Sequence, residues 1–179
     1  EYTNIPGIKK KVSRLGLGCW QLGGHGWGEI NLNSASNAVL EAIRNGITLF
    51  DTAPIYGLGK SEERLGRLIE ERREELVIAT KVGLDWKLNR GFRRNNDLSK
   101  ERIMVEINES LKRLGTTYID LYQIHWPDPN TPLKETMKTV NLLQEDGVIN
   151  AIGVSNFNLD QLREAICHTK IATLQIPYS

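Results

Sequence analysis

Cysteine and histidine are scarce in this chain, two of the first and three of the second among 179 residues. Cys19 and Cys167 lie far apart, at no metal-ligand or redox spacing, and nothing resembles a disulfide framework. No histidine clusters with Cys or carboxylates at ligand spacing, so no metal is expected. So few thiols suit a reducing, cytoplasmic compartment. An excess of one charge is lacking too. Lys and Arg number 23 against 22 Asp and Glu, a net charge of +1, which gives no basic balance for nucleic acid or an anionic membrane surface. Long apolar runs are missing: none approaches the roughly 20 residues that span a bilayer. The opening Glu-Tyr-Thr-Asn-Ile lacks the charged-then-apolar pattern of a secretory leader. What is present, 40% hydrophobic and 25% charged residues, is the composition of a globular domain. The length allows one domain with a sizeable core.

Apolar, β-branched runs alternate with helix-period segments along the chain. Strands are expected at 15–20, 47–52, 76–82, 118–125, 149–155 and 172–178. Most are continuous apolar runs without period-two alternation, as parallel strands covered by helices require. Between them, Ser99 is placed to cap a helix, with Leu98 and Ile103 as a hydrophobic staple. Ile103, Ile107, Leu111 and Leu114 follow at helical spacing, and Gly115 can end the helix left-handed. Thr131-Pro132 predicts an N-cap with proline at the first helical position; Leu133, Met137, Val140 and Leu143 then share a face, which Gly147 closes. Gly46 ends the first helix in the same manner. Asn158 with Gln161 resembles a capping box. Residues 1–14 predict a lysine-rich, solvent-facing hairpin or loop around Pro6-Gly7.

Repeated strand-then-helix order predicts a parallel sheet with right-handed crossovers. An open doubly wound sheet and a closed (β/α)8 barrel both satisfy it. No G-x-G-x-x-G links a strand to a helix, since Gly16-Leu-Gly18 runs on into Cys-Trp-Gln. That removes the main support for a dinucleotide fold of the Rossmann type and favours the barrel. An eight-stranded barrel usually needs about 250 residues. This chain supplies about the first six βα units, and 1–179 is expected to be a single barrel domain without units seven and eight. Such a sheet has two open edges, so more polypeptide is expected after Ser179.

Polar residues fall where barrels put their chemistry, at the C-terminal ends of strands. Asp51 ends the second predicted strand, Lys81 the third, His125 the fourth and Ser155-Asn156 the fifth, while Gln175 lies in the sixth. Each has a plain structural alternative. Asp51 before Thr52 and Pro54 can stabilise a turn, Tyr56 beside Gly57 can be a loop aromatic, and a lone His125 is commonly a half-buried side chain. Lys81 is harder to explain, because it interrupts an apolar run and a buried lysine needs a partner. Asp51, one strand over and at the same level, is the expected partner, a pairing that by itself suits a structural ion pair equally well. The chemical alternative covers all four together. A phenol with a pKa of about 10 is a poor acid near neutrality; an adjacent ammonium lowers that value. A carboxylate then holds the ammonium, and a histidine orients a carbonyl oxygen. Such a set suits general acid catalysis of carbonyl reduction, with hydride from a bound cofactor.

Six ordered motifs carry a family resemblance. They are Gly16-Leu-Gly18 with Trp20, Asp51-Thr-Ala-Pro-Ile-Tyr56-Gly57 followed by Ser61-Glu62, Thr80-Lys81, Asp120-Leu-Tyr-Gln-Ile-His125-Trp126, Gly153-Val-Ser-Asn156-Phe157 and Gln175. Together they resemble the aldo-keto reductases over nearly the whole chain. The resemblance implies an NADP-dependent reductase of aldehydes or ketones, with Tyr56 as proton donor, Lys81 tuning it, Asp51 supporting Lys81, and His125 orienting the substrate carbonyl. It implies that Ser155, Asn156 and Gln175 hold the nicotinamide carboxamide of NADP(H). Trp20 and Trp126 match substrate-pocket walls, and Trp86 is a candidate for the same role. The family's seventh and eighth units, which grip the cofactor's phosphates, have no counterpart here. The partner implied is a small carbonyl compound, with neither nucleic acid nor membrane. A cofactor-binding regulatory subunit of the same fold, like those associated with potassium channels, is the alternative, as is an inactive truncated fragment.

Overall fold

The protein is represented by a computed structural model that describes residues 1–24, 30–84 and 96–178. A short hairpin pairs β1 (Tyr2–Thr3) with β2 (Val12–Ser13). Strands and helices then alternate: β3 (Gly16–Gly18), α1 (Leu32–Arg44), β4 (Leu49–Asp51), α2 (Lys60–Ile69), β5 (Val77–Val82), α3 (Lys100–Leu114), β6 (Ile119–Ile124), α4 (Leu133–Glu145), β7 (Ile149–Ser155), α5 (Leu159–His168) and β8 (Ile171–Gln175). All six predicted strands form, each within a few residues of its expected limits. No helix among the described residues is long and apolar enough to cross a membrane.

Strands β3 to β8 pair in sequence order, every neighbour parallel, in one six-stranded sheet. The sheet is curled. Four strand spacings separate β4 from β8, about 19 Å if the sheet were flat, yet the Gln175 side chain on β8 reaches Asp51 on β4 at 3.2 Å. Six parallel strands with five helices between them, wound this way, form part of a (β/α)8 barrel. The outer strands are β3 and β8, and the apolar Leu174 on β8 and Ile176 just after it are exposed.

Both faces of the sheet are covered, which explains the continuous apolar runs. Outside, Phe50, Ile78, Tyr122, Ile152 and Val154 pack against Val39, Leu65, Ile103, Ile107, Met137 and Val140 of the helices. Inside, Val77, Ala79, Leu121 and Ala151 pack against Ile8 and Val12 of the N-terminal hairpin. That hairpin is exposed over most of its length, as expected, but not throughout. Lys10 pairs with Asp120 at 2.9 Å and donates to the Leu76 carbonyl at 2.7 Å, while Arg73 meets the other Asp120 oxygen at 2.7 Å. Asp120 is fully buried, and a buried carboxylate requires such partners. The hairpin supplies one while closing the N-terminal end of the sheet.

Helix termini follow the sequence signals with one correction. Ser99 accepts from the Arg102 amide, Gly115 takes a left-handed φ of 64°, and both bonds of the Asn158–Gln161 capping box are made. Leu98 and Ile103 are both buried, as a staple requires. Thr131, however, does not cap α4; Pro132 occupies that position and the helix starts at Leu133. The Thr131 hydroxyl donates to Asp128 Oδ2 at 2.6 Å, and Asp128 also accepts from the Asn130 and Leu98 amides. The Asp128 turn therefore takes the threonine away from the helix.

Candidate active site

The loop after β4 carries Tyr56, and two devices hold it. Gly57 has a left-handed φ of 61°, and a Cβ there would lie 2.1 Å from the Gly23 carbonyl oxygen. Only glycine permits this approach, which brings the loop against the 3-10 turn Trp20–Gly23. The indole of Trp20 consequently stacks on the Tyr56 ring, centroids 5.4 Å apart and planes 13° from parallel. The second device is the Ser61-Glu62 pair opening α2. The buried Ser61 hydroxyl donates to the Cys19 carbonyl at 2.6 Å and shares a bond with Thr52 Oγ1. Glu62, fully buried, accepts from Thr80 and from Arg113, both at 2.6 Å. These motif residues thus tie the loop to β5 and α3 and do not enter the pocket.

Adjacent residues of β5 serve opposite faces of the sheet. Thr80 turns outward to Glu62, and Lys81 turns inward. Lys81 is 1% exposed, and its ammonium pairs with Asp51 Oδ1 at 2.6 Å, donates to the Thr52 carbonyl at 2.9 Å and lies 3.4 Å from the Tyr56 hydroxyl. His125, just beyond β6, meets the Tyr56 ring edge-on at a centroid distance of 6.2 Å. Asp51, Tyr56, Lys81 and His125 therefore converge at the C-terminal ends of β4, β5 and β6. Among the described residues no three His, Cys, Asp or Glu side chains are grouped to hold a metal ion.

The electrostatics depart from the expected direction. Burial raises the Tyr56 pKa and is the largest influence; Lys81 lowers it, Asp51 raises it, and the net result is a phenol above its ordinary value. The ammonium acts with the expected sign and is outweighed by desolvation. Tyr56 is therefore a neutral phenol at neutral pH, the state a proton donor needs at rest. Beside it, burial pushes the Cys19 thiol up to about 12.

At the ends of β7 and β8 three further polar side chains meet. Ser155 Oγ donates to the Gln175 carbonyl at 3.1 Å, and Asn156 Nδ2 donates to the His125 carbonyl and to Ser155 Oγ, each at 3.0 Å. Asn156 holds a left-handed φ of 60°, a strained setting for a residue other than glycine. Gln175 Nε2 donates to Asp51 Oδ2 at 3.2 Å, linking this group to the tetrad. None of these bonds uses Asn156 Oδ1 or Gln175 Oε1, and Gln175 Nε2 has a second N–H, so the cluster offers acceptors and a donor. That donor and acceptor set fits a carboxamide.

Of the three tryptophans named from the sequence, Trp20 covers Tyr56 and is itself 46% exposed. Trp126 is half-buried next to His125 in the chain. Trp86 lies outside the described residues, as does the rest of 85–95. On either side, Leu84 bridges Asn96, and Asn96 donates to the Pro127 carbonyl at 2.7 Å. Sequence reasoning missed Gln123, whose Nε2 donates to Asp51 Oδ2 at 3.2 Å from the middle of the sheet. The signal was available: Gln123 interrupts the apolar run of β6 as Lys81 interrupts that of β5.

The aldo/keto reductase family model matches residues 14–179. Aldo-keto reductase YhdN of Bacillus subtilis (strain 168) is 45% identical over 181 aligned positions, covering 100% of this chain and 54% of that protein. The NADH-specific methylglyoxal reductase of Escherichia coli (strain K12) is 39% identical, covering 94% of this chain and 56% of the relative. Among solved structures, the glycerol dehydrogenase AKR11B4 from Gluconobacter oxydans superposes with a TM-score of 0.89 at 40% identity, over 99% of this chain and 55% of that one. An aldo-keto reductase from Klebsiella pneumoniae in complex with NADPH gives a TM-score of 0.77 at 31% identity, over 94% and 55% of the two chains. The chain thus spans about half the length of the relatives it matches. With the motifs, the parallel strand order and these likenesses in agreement, the chain belongs to the aldo/keto reductase family.

Proposed function

We propose that this protein is an NADP-dependent carbonyl reductase, converting aldehydes or ketones to alcohols in the cytoplasm, with Tyr56 as general acid. The observation that carries it is the contact of the buried Lys81 ammonium with Asp51 on one side and the Tyr56 hydroxyl on the other. A structural ion pair alone would have no need of a phenol beside it. The carbonyl oxygen of the substrate would sit between Tyr56 and His125, and the phenol would donate its proton as negative charge grows on that oxygen. Lys81 would stabilise the phenolate left behind, and Asp51 keeps the ammonium in place. Trp20 on the ring of Tyr56 excludes water from one side of the donor and, with Trp126 and Trp86, would line the substrate pocket.

Ser155, Asn156 and Gln175 would hold the nicotinamide through its carboxamide. The chemistry that such a cofactor supplies when bound is a hydride equivalent. The preference for NADP(H) rests on the family and on the relative bound to NADPH; the NADH-specific relative makes it a choice worth measuring. The residues gripping the phosphates would belong to units seven and eight of a single barrel domain, of which this chain supplies six strands and the five helices between them.

The test is turnover of an aromatic aldehyde and of methylglyoxal with NADPH and with NADH, in the wild type and in Tyr56→Phe. Removing the general acid should lower kcat by about 10²–10⁴-fold, with cofactor affinity unchanged. Retention of most activity in that variant would sink the tyrosine assignment. Tight cofactor binding without turnover in the wild type would favour the regulatory-subunit alternative.

A further inference from the structure

Inside the curled sheet, four residues stand in register across neighbouring strands: Lys81 on β5, Gln123 on β6, Gly153 on β7 and Thr173 on β8. The rung below is Ala79, Leu121 and Ala151, small or apolar, as a barrel interior requires. Gln123 is therefore a polar exception, 2% exposed, one strand beyond the Lys81–Asp51 pair. Its amide nitrogen points at Asp51 Oδ2 from 3.2 Å. An ionised carboxylate only accepts, so the amide must present its N–H₂ end.

The space it occupies is made by a glycine. A Cβ on Gly153 would lie 2.9 Å from Gln123 Cγ and 2.4 Å from Thr173 Oγ1. Any larger residue at 153 would push the glutamine off its line to Asp51. Gly153 has no left-handed φ to justify it, so the clearance is the structural reason for glycine here. Asp51 is consequently held at both oxygens, Oδ1 by Lys81, and Oδ2 by Gln123 and by Gln175. The two amides are not equivalent. Gln175 stands on the outer strand β8 and is half-buried, whereas Gln123 is fixed on a central strand with all six residues buried.

We propose that Gln123 is a positioning residue for the reaction: its buried amide, lying in the clearance over Gly153, fixes the Asp51 carboxylate and through it the Lys81 ammonium behind Tyr56. This rests on the reductase function proposed above. Without Gln123, Asp51 Oδ2 would keep only the half-buried Gln175 donor on the outer strand. A rotated Asp51 would draw the ammonium away from the phenol hydroxyl, which lies at the limit of contact at 3.4 Å. The titratable and charged groups around the amide are Lys81 on the neighbouring strand β5, Asp51 on β4 one strand further, Tyr56 and Cys19 beyond them, and His125 just past the end of its own strand.

Two variants test it. Gln123→Met keeps the shape and removes the donor; kcat should fall about tenfold or more, while the KM for the aldehyde changes little. Gln123→Glu sets a second carboxyl beside Asp51, and like charges at this distance raise the pKa of the pair. Near pH 5 its protonated form can still donate to Asp51 and sustain turnover, and kcat should decline as pH rises and the donor is lost. A side chain that only fills space would give no such limb. Equal kcat in Gln123→Met and wild type, or a Gln123→Glu loss independent of pH, overturns the proposal.

A measurement without turnover separates this from the reductase assignment. In urea unfolding, Gln123→Glu should lose stability relative to its parent between pH 5 and 8. A carboxyl raised in the folded state stabilises only below its unfolded value and loses that contribution as pH rises through the folded one. In an Asp51→Asn background that pH-dependent loss should shrink by half or more. The same loss in both backgrounds overturns the Gln123–Asp51 link even in an active enzyme. A wild type without turnover overturns the reductase function, and the stability comparison still decides whether Gln123 holds Asp51.

Discussion

Replacing Lys81 by methionine probes the ion pair at the centre of the site. The thioether fills a similar volume, so the effect is electrostatic and not one of cavity formation. Lys81 is 1% exposed, and its ammonium serves Asp51 at 2.6 Å and the Thr52 carbonyl at 2.9 Å. Removing one partner from a fully buried pair costs about 3–5 kcal/mol, because the other charge is left uncompensated. Two features of this site reduce that figure. The Asp51 side chain retains 20% exposure, and its second oxygen keeps the Gln123 and Gln175 donors, each at 3.2 Å. The expected loss is therefore about 2 kcal/mol, read as a lower urea midpoint at unchanged slope. Asp51→Asn and the double variant complete a cycle, and the two losses should fail to add by about 1–2 kcal/mol. Additivity within about 0.5 kcal/mol, or a single-variant loss below that, would refute the account of the pair as mutually dependent. In the same variant Tyr56 loses the Lys81 ammonium that lowers its pKa, so carbonyl reduction should fall by about 10²–10⁴-fold.

Asp120→Asn keeps the shape of a fully buried side chain and removes the counter-charge of Lys10 and Arg73. It should cost about 3 kcal/mol, measured by urea unfolding; a loss under about 1 kcal/mol would mean that the hairpin is held by its apolar residues alone. Cys19 sets an alkaline limit. Burial, with Asp51 adding to it, raises this thiol from 9.0 to about 12, so its contribution is complete below pH 9 and is lost as pH rises toward 12. Three units correspond to about 4 kcal/mol over that window. The urea midpoint should fall steeply above pH 9 in the wild type and less steeply in Cys19→Ala, where the raised Tyr56 and Tyr118 sustain the remaining slope. Equal slopes in the two proteins would show that the thiol is not desolvated as described.

The sequence by itself determined the element order, the parallel sheet and the identities of the four residues that meet at its mouth. Local rules suffice for these. Strands buried on both faces must be continuous apolar runs, so a lysine inside one, as at Lys81, announces a partner. Caps such as Ser99 and Asn158 act within one turn of helix and need no distant information. Thr131 failed for the complementary reason: its competitor, Asp128, is organised by the Leu98 amide thirty residues away. Only the tertiary structure decided the sign of the Tyr56 shift, because desolvation depends on which surfaces close over the ring. It alone placed Lys10 against Asp120 and Gln175 against Asp51, contacts spanning 110 and 124 residues that exist because the hairpin folds under the sheet and the sheet curls. Gln123 lies between the two cases. The interruption of its strand was legible, but the partner was not, since the clearance above Gly153 exists only once β6, β7 and β8 stand side by side.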